Sequence, residues 1–465
     1  MDTISPLTIS KASTLLKRGE ITPLEILETC LQQISRLNPK INAFINITDV
    51  EAKNTAIKMS PSLDKTQPSE LLLFGIPIGI KDLFDATGIP TTAGTKFLAG
   101  NTPMTDAVVV ARLRESGAVL IGKLNMHEIA LGVTNVNPHY GTCCNPWDTK
   151  RIPGGSSGGS AAAVITGMCL CALGTDTGGS IRIPASLCGT VGLKPTYGRV
   201  SLRGVIPLSW NLDHVGPITL TVRDAALMLQ VIAGYDPVDP ISIDVPVEDY
   251  LTSIEDGIQG WHIALLTGDC IAESDPEVLN AIHTAAQVFD RLGAQIEEID
   301  LPWLRDAAQA NSVIAKADAA AYYHERLETS PNDFGSDVLY RLREGAAHTS
   351  TEYALARRKQ VELRRQFEHL FSNYDILLLP TTSIPAPLIT DADAIEQARR
   401  LTIFTAPFNL AGLPALSLPC GFTTGGLPIG LQLVSPAWSE TRLFQAGQAY
   451  EGATRWTARA STFYK

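Results

Sequence analysis

Several features that would settle a function class are missing from this sequence. No apolar run reaches the roughly 20 residues that span a bilayer; the most apolar stretch is Ser160–Gly174, SAAAVITGMCLCALG. The first ten residues, MDTISPLTIS, lack the basic start and apolar run of a secretory signal. Both absences point to the cytoplasm. A basic excess is missing too: 37 Lys and Arg stand against 48 Asp and Glu, a formal net charge of −11. That argues against a general grip on nucleic-acid backbones or anionic membranes. The eight cysteines include no CxxC pair, and Cys169, Cys171 and Cys188 sit among apolar or small residues. Free buried thiols are therefore expected, not zinc ligands or disulfides. Charged residues are 18% and aromatics 6%, while hydrophobic residues reach 45%. A chain so poor in charge is globular with a large core, not disordered or fibrous.

What is present reads as alternating helix and strand. Residues 1–60 carry helical periodicity in Leu15, Leu16, Leu24, Leu27, Leu31 and Ile34. Thr22-Pro23 with Glu25 is a helix start, and Asn38-Pro39 is expected to end that helix. Residues 60–70 read as a polar loop. Leu71–Phe74 and Ile76–Ile80 look like buried extended segments, and 119–122 and 261–266 like strands. Helices are expected over 107–116, 222–232, 277–292 and 351–371, then strands over 375–379 and 427–434. Such alternation predicts an α/β sheet with helices on its faces. Length alone leaves room for about three domains. Arg357, Arg358, Lys359, Arg364 and Arg365 form a basic run whose plain reading is a solvated helix face, with a tRNA or acidic-partner surface as the alternative.

Two glycine-rich stretches stand out. Gly154-Gly155-Ser156-Ser157-Gly158-Gly159-Ser160 has no Gly-Lys-Ser/Thr after it, so it is not a P-loop. It fits G-x-S-x-G, but loop residues precede it where that elbow needs a strand. The second stretch is Gly174-Thr175-Asp176-Thr177-Gly178-Gly179-Ser180-Ile181-Arg182. It is either a tight turn needing positive φ or a backbone oxyanion hole from the amides of Thr177, Gly178, Gly179 and Ser180. A serine nucleophile needs a base. None of the eight histidines lies in a compelling motif. Lys81 ends the apolar segment Ile76-Pro77-Ile78-Gly79-Ile80, where lost hydration lowers an amine's pKa and makes it a candidate base, although a lysine there taken alone is more often a salt-bridged strand end.

Together these pieces resemble the amidase signature family. Gly79-Ile80-Lys81-Asp82, the Gly154–Ser160 stretch and Asp176–Pro184 occur in order, with 75 residues from Lys81 to Ser156 and 24 from Ser156 to Ser180 (156 − 81 and 180 − 156). The likeness continues through Gly192-Leu193-Lys194-Pro195-Thr196, Asp213-His214-Val215-Gly216-Pro217, Asn409–Pro414 and Gly430-Leu431-Gln432. It implies one α/β domain over 1–465, a large mixed β-sheet sandwiched between layers of α-helices. In it a helical segment, 1–60, packs on a catalytic core, 75–220. It implies a Ser–Ser–Lys triad, with Ser180 as nucleophile, Ser156 on a cis peptide bond as proton relay, and Lys81 as base. The Thr177–Ser180 amides would hold the oxyanion. Ser157, Asp176 and Arg182 would support the loop, Ser157 by bonding Lys81 or the turn. Neither a metal nor an organic cofactor is implied.

The expected activity is hydrolysis of a small linear amide to acid and ammonia or amine through a Ser180 acyl-enzyme. The alternatives are the glutaminase A subunit of a tRNA-dependent amidotransferase, or a biuret- or allophanate-type amidohydrolase. That subunit carries an Asn-Leu-Ser-Arg-Tyr/Phe-Asp-Gly stretch, absent from Asn311–Ala321 here, and an Asp that holds the glutamine ammonium, where Thr402 stands here. Substrate contacts are expected around Met126–Leu131, Ile152-Pro153, 310–350 and 380–405, with Met126 and Thr402 as named candidates. The expected partners are a small amide and no membrane or nucleic acid, with a homodimer possible, or partner subunits on the amidotransferase alternative. A histidine-based serine hydrolase would instead make one His essential.

Overall fold

The computed structural model describes residues 6–60, 71–390 and 394–464. The expected loop over 60–70 falls almost wholly outside these residues, as does the start of the N-terminal stretch. One sheet of eleven strands organises the chain. In chain order the strands are β1 Phe44–Ile47, β2 Pro77–Lys81, β3 Val119–Leu124, β4 Cys171–Asp176, β5 Val191–Lys194, β6 His214–Thr219, β7 His262–Thr267, β8 Gln295–Asp300, β9 Ile376–Pro380, β10 Ala415–Phe422 and β11 Pro428–Val434. Across the sheet they run β1-β3-β2-β4-β6-β5-β10-β11-β9-β7-β8. The pairs β2–β3, β2–β4, β7–β8 and β7–β9 are parallel and the others antiparallel, so the sheet is mixed.

Alternating side chains of β7 and β9 feed two different cores. Ile263, Leu265, Ile376, Leu378, Leu431 and Leu433 join one apolar cluster, which also takes Phe289 and Phe444 from helices. Ala264, Leu266, Leu377 and Leu379 join the other, with Leu304, Ile314, Leu363 and Phe408. Both faces are thus covered by helices, which is why these strands read as continuous apolar runs. The exposed edge strand β8 instead carries Glu297 and Glu298, charges that discourage pairing with another chain. The structure is the single-domain α/β arrangement with one large mixed sheet.

Most expected elements are found where the periodicity places them. The helices Val108–Glu115, Val222–Ile232, Pro276–Arg291 and Ser350–Leu370 are present, as are β3, β7, β9 and β11. Thr22 caps the helix Pro23–Ile41: its Oγ1 accepts from Glu25 N at 3.2 Å, and Glu25 Oε2 accepts from Thr22 N at 2.8 Å. Three details differ. The helix runs past Asn38-Pro39 to Ile41, because a proline in the last turn removes only one backbone bond, and Asn38 then anchors the exit by accepting from Ala43 and Phe44. A strand, β1, interrupts the N-terminal helices and pairs with β3. Leu71–Phe74 forms turns, not an extended segment: only Leu73 reaches the core, while Leu71 and Leu72 are exposed.

β2 is buried along its whole length and leads to the site. Gly79 lets β3 lie close, since a Cβ there would meet Leu124 at 2.6 Å. The basic run on Ser350–Leu370 lies largely in solvent, where Arg358 and Arg365 pair with Glu362 and Glu368 one turn on. All eight cysteines are free thiols, six of them buried. Among the described residues no helix is long and apolar enough to cross a membrane.

Candidate active site

The site forms where the C-terminal ends of β2 and β4 meet two loops. β2 ends on Lys81, which has no exposed surface. Its Nζ lies 2.7 Å from Ser156 Oγ and 2.7 Å from Thr175 Oγ1. Both partners are neutral, so nothing in direct contact offsets the loss of hydration. Burial lowers the Lys81 pKa to about 7, against an opposing pull from Asp213 and Asp176. A lysine in this state exchanges its proton at neutral pH.

Ser156 lies just before the helix Gly158–Ile165, and the Gly155–Ser156 peptide is cis. Loop residues precede it, as the sequence indicates, so this is not a strand-borne nucleophile elbow. Ser157 binds the turn and not Lys81. Its Oγ donates to Thr175 O at 3.2 Å and accepts from Thr175 N at 3.3 Å, and its N donates to Ser180 O at 3.2 Å. Both glycine-rich stretches are therefore stitched to each other.

Asp176, the last residue of β4, organises the loop that follows. Its carboxylate accepts from Gly179 N at 2.7 Å and Ile181 N at 3.1 Å. It also pairs with Arg182, with Nε at 3.0 Å and Nη2 at 2.9 Å. Both side chains are fully buried. Burial alone would raise the Asp176 pKa, but Arg182 and further donors overcome it and hold the carboxyl well below the usual range. Arg182 directs its remaining donors to Thr405 O, Gln432 Oε1 and Asn409 Oδ1 at 3.0, 2.7 and 2.6 Å. Asp176 and Arg182 brace the loop from behind and do not face the cavity.

Ser180 sits at the crest of this loop, 6% exposed, on a cavity of about 530 Å³. Gly179 has φ +136°, and a Cβ there would meet Thr405 Oγ1 at 2.2 Å, so the turn demands glycine. Its amide is already given to Asp176. Among the described residues no protein acceptor meets the amides of Thr177, Gly178 and Ser180. The carbonyls on this loop are tied down: Asn311 Nδ2 donates to Thr177 O at 3.2 Å and Thr405 Oγ1 to Gly178 O at 2.6 Å. Thr177 Oγ1 donates to Asp213 at 2.6 Å. Burial raises the Asp213 carboxyl to about 6, against bonds from Thr177, Leu208 and Ser209.

The cavity reaches from this loop to three helices, Leu304–Tyr322, Ser336–Ala347 and Ala394–Thr402. Thr402 lies on its wall, and its hydroxyl donates to Ala398 O at 2.8 Å. Ala130 and Leu131 line it as well. Met126 does not: it is fully buried in an apolar cluster with Leu83, Ala93 and Ile129, the cluster to which the lining residues Ala130, Leu131 and Leu208 also belong. Ile152 and Pro153 are also away from the wall. Five participants carried no sequence assignment: Thr175, Asp213, Asn311, Asn409 and Gln432. Asp213, Asn409 and Gln432 lie inside the quoted family segments and Thr175 inside the second glycine-rich stretch, so a signal existed without a role attached. Asn311 falls in the expected contact region 310–350, but nothing pointed to its bond with Thr177, 134 residues away. Among the described residues no group of three or more His, Cys, Asp or Glu is placed to hold a metal ion.

Comparison with known proteins finds relatives over nearly the whole chain. A family model described as Amidase matches residues 25–444. The A subunit of the glutamyl-tRNA(Gln) amidotransferase of Chloroflexus aggregans is 40% identical over 97% of both chains. A solved structure described as part of a vestigial protein complex that reveals the evolutionary origins of an s-triazine catabolic enzyme superposes with a TM-score of 0.92. It shares 33% identity over 96% of this chain and 99% of that one. The A subunit of the glutamyl-tRNA(Gln) amidotransferase of Thermotoga maritima superposes at 0.83, with 34% identity over 96% and 94%.

Proposed function

This chain belongs to the amidase family and is an amidase-type hydrolase, and from that premise we propose that it cleaves the carbon–nitrogen bond of a small linear amide through a Ser180 acyl-enzyme. Ser180 Oγ attacks the carbonyl carbon as its proton passes to Ser156 Oγ and the Ser156 proton passes to neutral Lys81. The amides of Thr177, Gly178 and Ser180 face the developing oxyanion, while Gly179 serves the loop through Asp176. When the tetrahedral adduct collapses, the C–N bond breaks and the leaving nitrogen takes the Lys81 proton by way of Ser156. Water then attacks the Ser180 ester along the same relay and frees the acid.

The observation that carries this reading is the buried Lys81–Ser156 contact of 2.7 Å at an amine whose pKa is about 7. General-base work needs a group that is unprotonated near neutral pH yet basic enough to accept. The test is ammonia release from a panel of glutamine, asparagine, acetamide, malonamate, biuret and allophanate, beside Ser180→Ala. Turnover abolished by that substitution supports the reading; equal turnover in the variant sinks it.

A second reading is favoured by the relatives' name. Proteins 40% identical over nearly the whole chain are named as the A subunit of glutamyl-tRNA(Gln) amidotransferase. On this reading the site is a glutaminase working beside partner subunits. Against it, the wall offers Thr402 where a carboxylate would hold the glutamine ammonium. Release of ammonia from glutamine alone would decide for it.

A further inference from the structure

The cavity wall carries a charge sign opposite to that of the protein. Four permanent cations line it, Arg305, Lys316, Arg341 and Arg399, against a single carboxylate, Glu344. The chain as a whole has a net charge of −11. Lys316 pairs with Glu344 at 2.8 Å, and Arg341 adds its charge to the same wall. Arg305 and Arg399 are held by Glu273 and Glu396, carboxylates that lie off the cavity lining. These pairs orient the guanidinium groups without placing a negative charge on the wall. Arg341 is the most enclosed, at 8% exposure, and a guanidinium stays charged there. Asp337 and Glu344 also act on Arg341, yet cations outnumber carboxylates on the lining, and a concave wall with an excess of one sign focuses its field on what enters.

The same cavity is lined by Ser180 with the Thr177 and Gly178 backbone, and Lys316 lies five residues (316 − 311) along its helix from Asn311, whose side chain holds Thr177 O. The lining also includes the apolar Leu131, Val133, Leu208 and Ile403. Such a lining suits a molecule with a reacting carbonyl, a short apolar part and an anion. Near Thr402 the wall holds a hydroxyl already donated to Ala398 O, so no anionic group awaits an ammonium.

We propose that the substrate is a small amide carrying a carboxylate at the end away from the reacting carbonyl, and no ammonium group, with that carboxylate seated against Arg341 and Lys316. The inference rests on the amide-hydrolase reading of Ser180 and names the substrate class of that site. The reaction consumes one water: the C–N bond breaks, the carbonyl carbon gains the hydroxyl, the nitrogen gains the hydrogen, and a dicarboxylate and ammonia leave.

Succinamate and butyramide test it, being similar in size and different in charge. The purified protein is expected to show kcat/KM at least tenfold higher for succinamate, and the ratio is expected to shrink in 0.5 M NaCl as charges are screened. Arg341→Gln and Lys316→Met are each expected to cut that ratio several-fold. The second substitution keeps the test sound if the first impairs folding. Equal or better turnover of butyramide overturns this inference and leaves the hydrolase reading standing. Turnover of glutamine at the succinamate rate overturns the exclusion of an ammonium. Calorimetric titration with succinate and with butyrate separates the two readings. Tighter binding of succinate, weakened by Lys316→Met, with neither amide turned over, upholds the anion wall and removes the hydrolase reading. Succinate binding no tighter than butyrate overturns the wall.

Discussion

Two parts of the site are built on different principles. Around Lys81 and Asp176 the groups are buried and tied to fixed partners: Lys81 meets two hydroxyls, and Asp176 and Arg182 hold each other and share Asn409. Elsewhere on the lining, side chains on two of the helices pair with carboxylates, Arg399 with Glu396 one turn away and Arg305 and Lys316 with Glu273 and Glu344 elsewhere in the chain. Within the first part a further contrast lies between two buried cations. Arg182 touches a carboxylate and holds it well below the usual carboxylate range. Lys81 touches only hydroxyls, and burial brings its pKa down to about 7. Burial is common to both, and what differs is the group itself, an amine that can give up its proton against a guanidinium that braces a carboxylate.

Substitutions can break this contrast in graded ways. The largest effect is expected at the reacting groups. Ser180→Ala should lower kcat/KM by about 10⁴-fold or more, and Lys81→Arg by about 10²- to 10⁴-fold, since an arginine cannot give up its proton. Both are read as initial rates of ammonia release. The pH dependence follows from the sign of the lysine shift: kcat/KM should rise with pH through about 7 as Lys81 becomes neutral, and a flat profile would count against a lysine base.

Next comes the brace. Arg182→Met leaves Asp176 buried and unpaired, and should cost about 3–5 kcal/mol of folding stability, measured by urea midpoint. Lys81→Met should act in the opposite direction. The folded protein disfavours a charged Lys81, so below the unfolded-state lysine pKa the wild type bears a penalty that grows as pH falls and levels off below about 7. The variant should therefore be more stable by about 2 kcal/mol near pH 7, after the loss of two hydroxyl contacts, with the advantage fading toward pH 10. A variant advantage that instead grew with pH would contradict the burial account. The smallest effect is expected far from the cavity. Arg358→Ala removes an exposed pair with Glu362 and should change stability by less than about 0.5 kcal/mol.

The motifs picked out residues that the structure brings together, because they are local: Lys81 closes an apolar strand, and Asp176 and Ser180 lie within five residues of each other. Helix starts such as Thr22-Pro23-Glu25 were equally legible, since caps act over three residues. The apolar run Leu71–Phe74 misled, because four residues cannot separate a strand from a turn with one core contact. Met126 misled in another way: nearness in sequence to Leu131 says nothing of which side of the chain faces the cavity.

What the sequence by itself determined is the set of short-range instructions: alternating apolar runs that make a sheet covered on both faces, glycines where the loop needs them, and the order and spacing of Lys81, Ser156 and Ser180. The tertiary structure decided the rest. It alone set the Lys81 pKa, because a pKa depends on how much water and which charges surround the amine, and those come from β4, the Ser156 loop and Asp213. It alone joined Arg182 to Asn409 and Gln432, over 200 residues away. And it alone gathered the cations of three helices, dispersed through a chain that is acidic overall, around the cavity that Ser180 also lines.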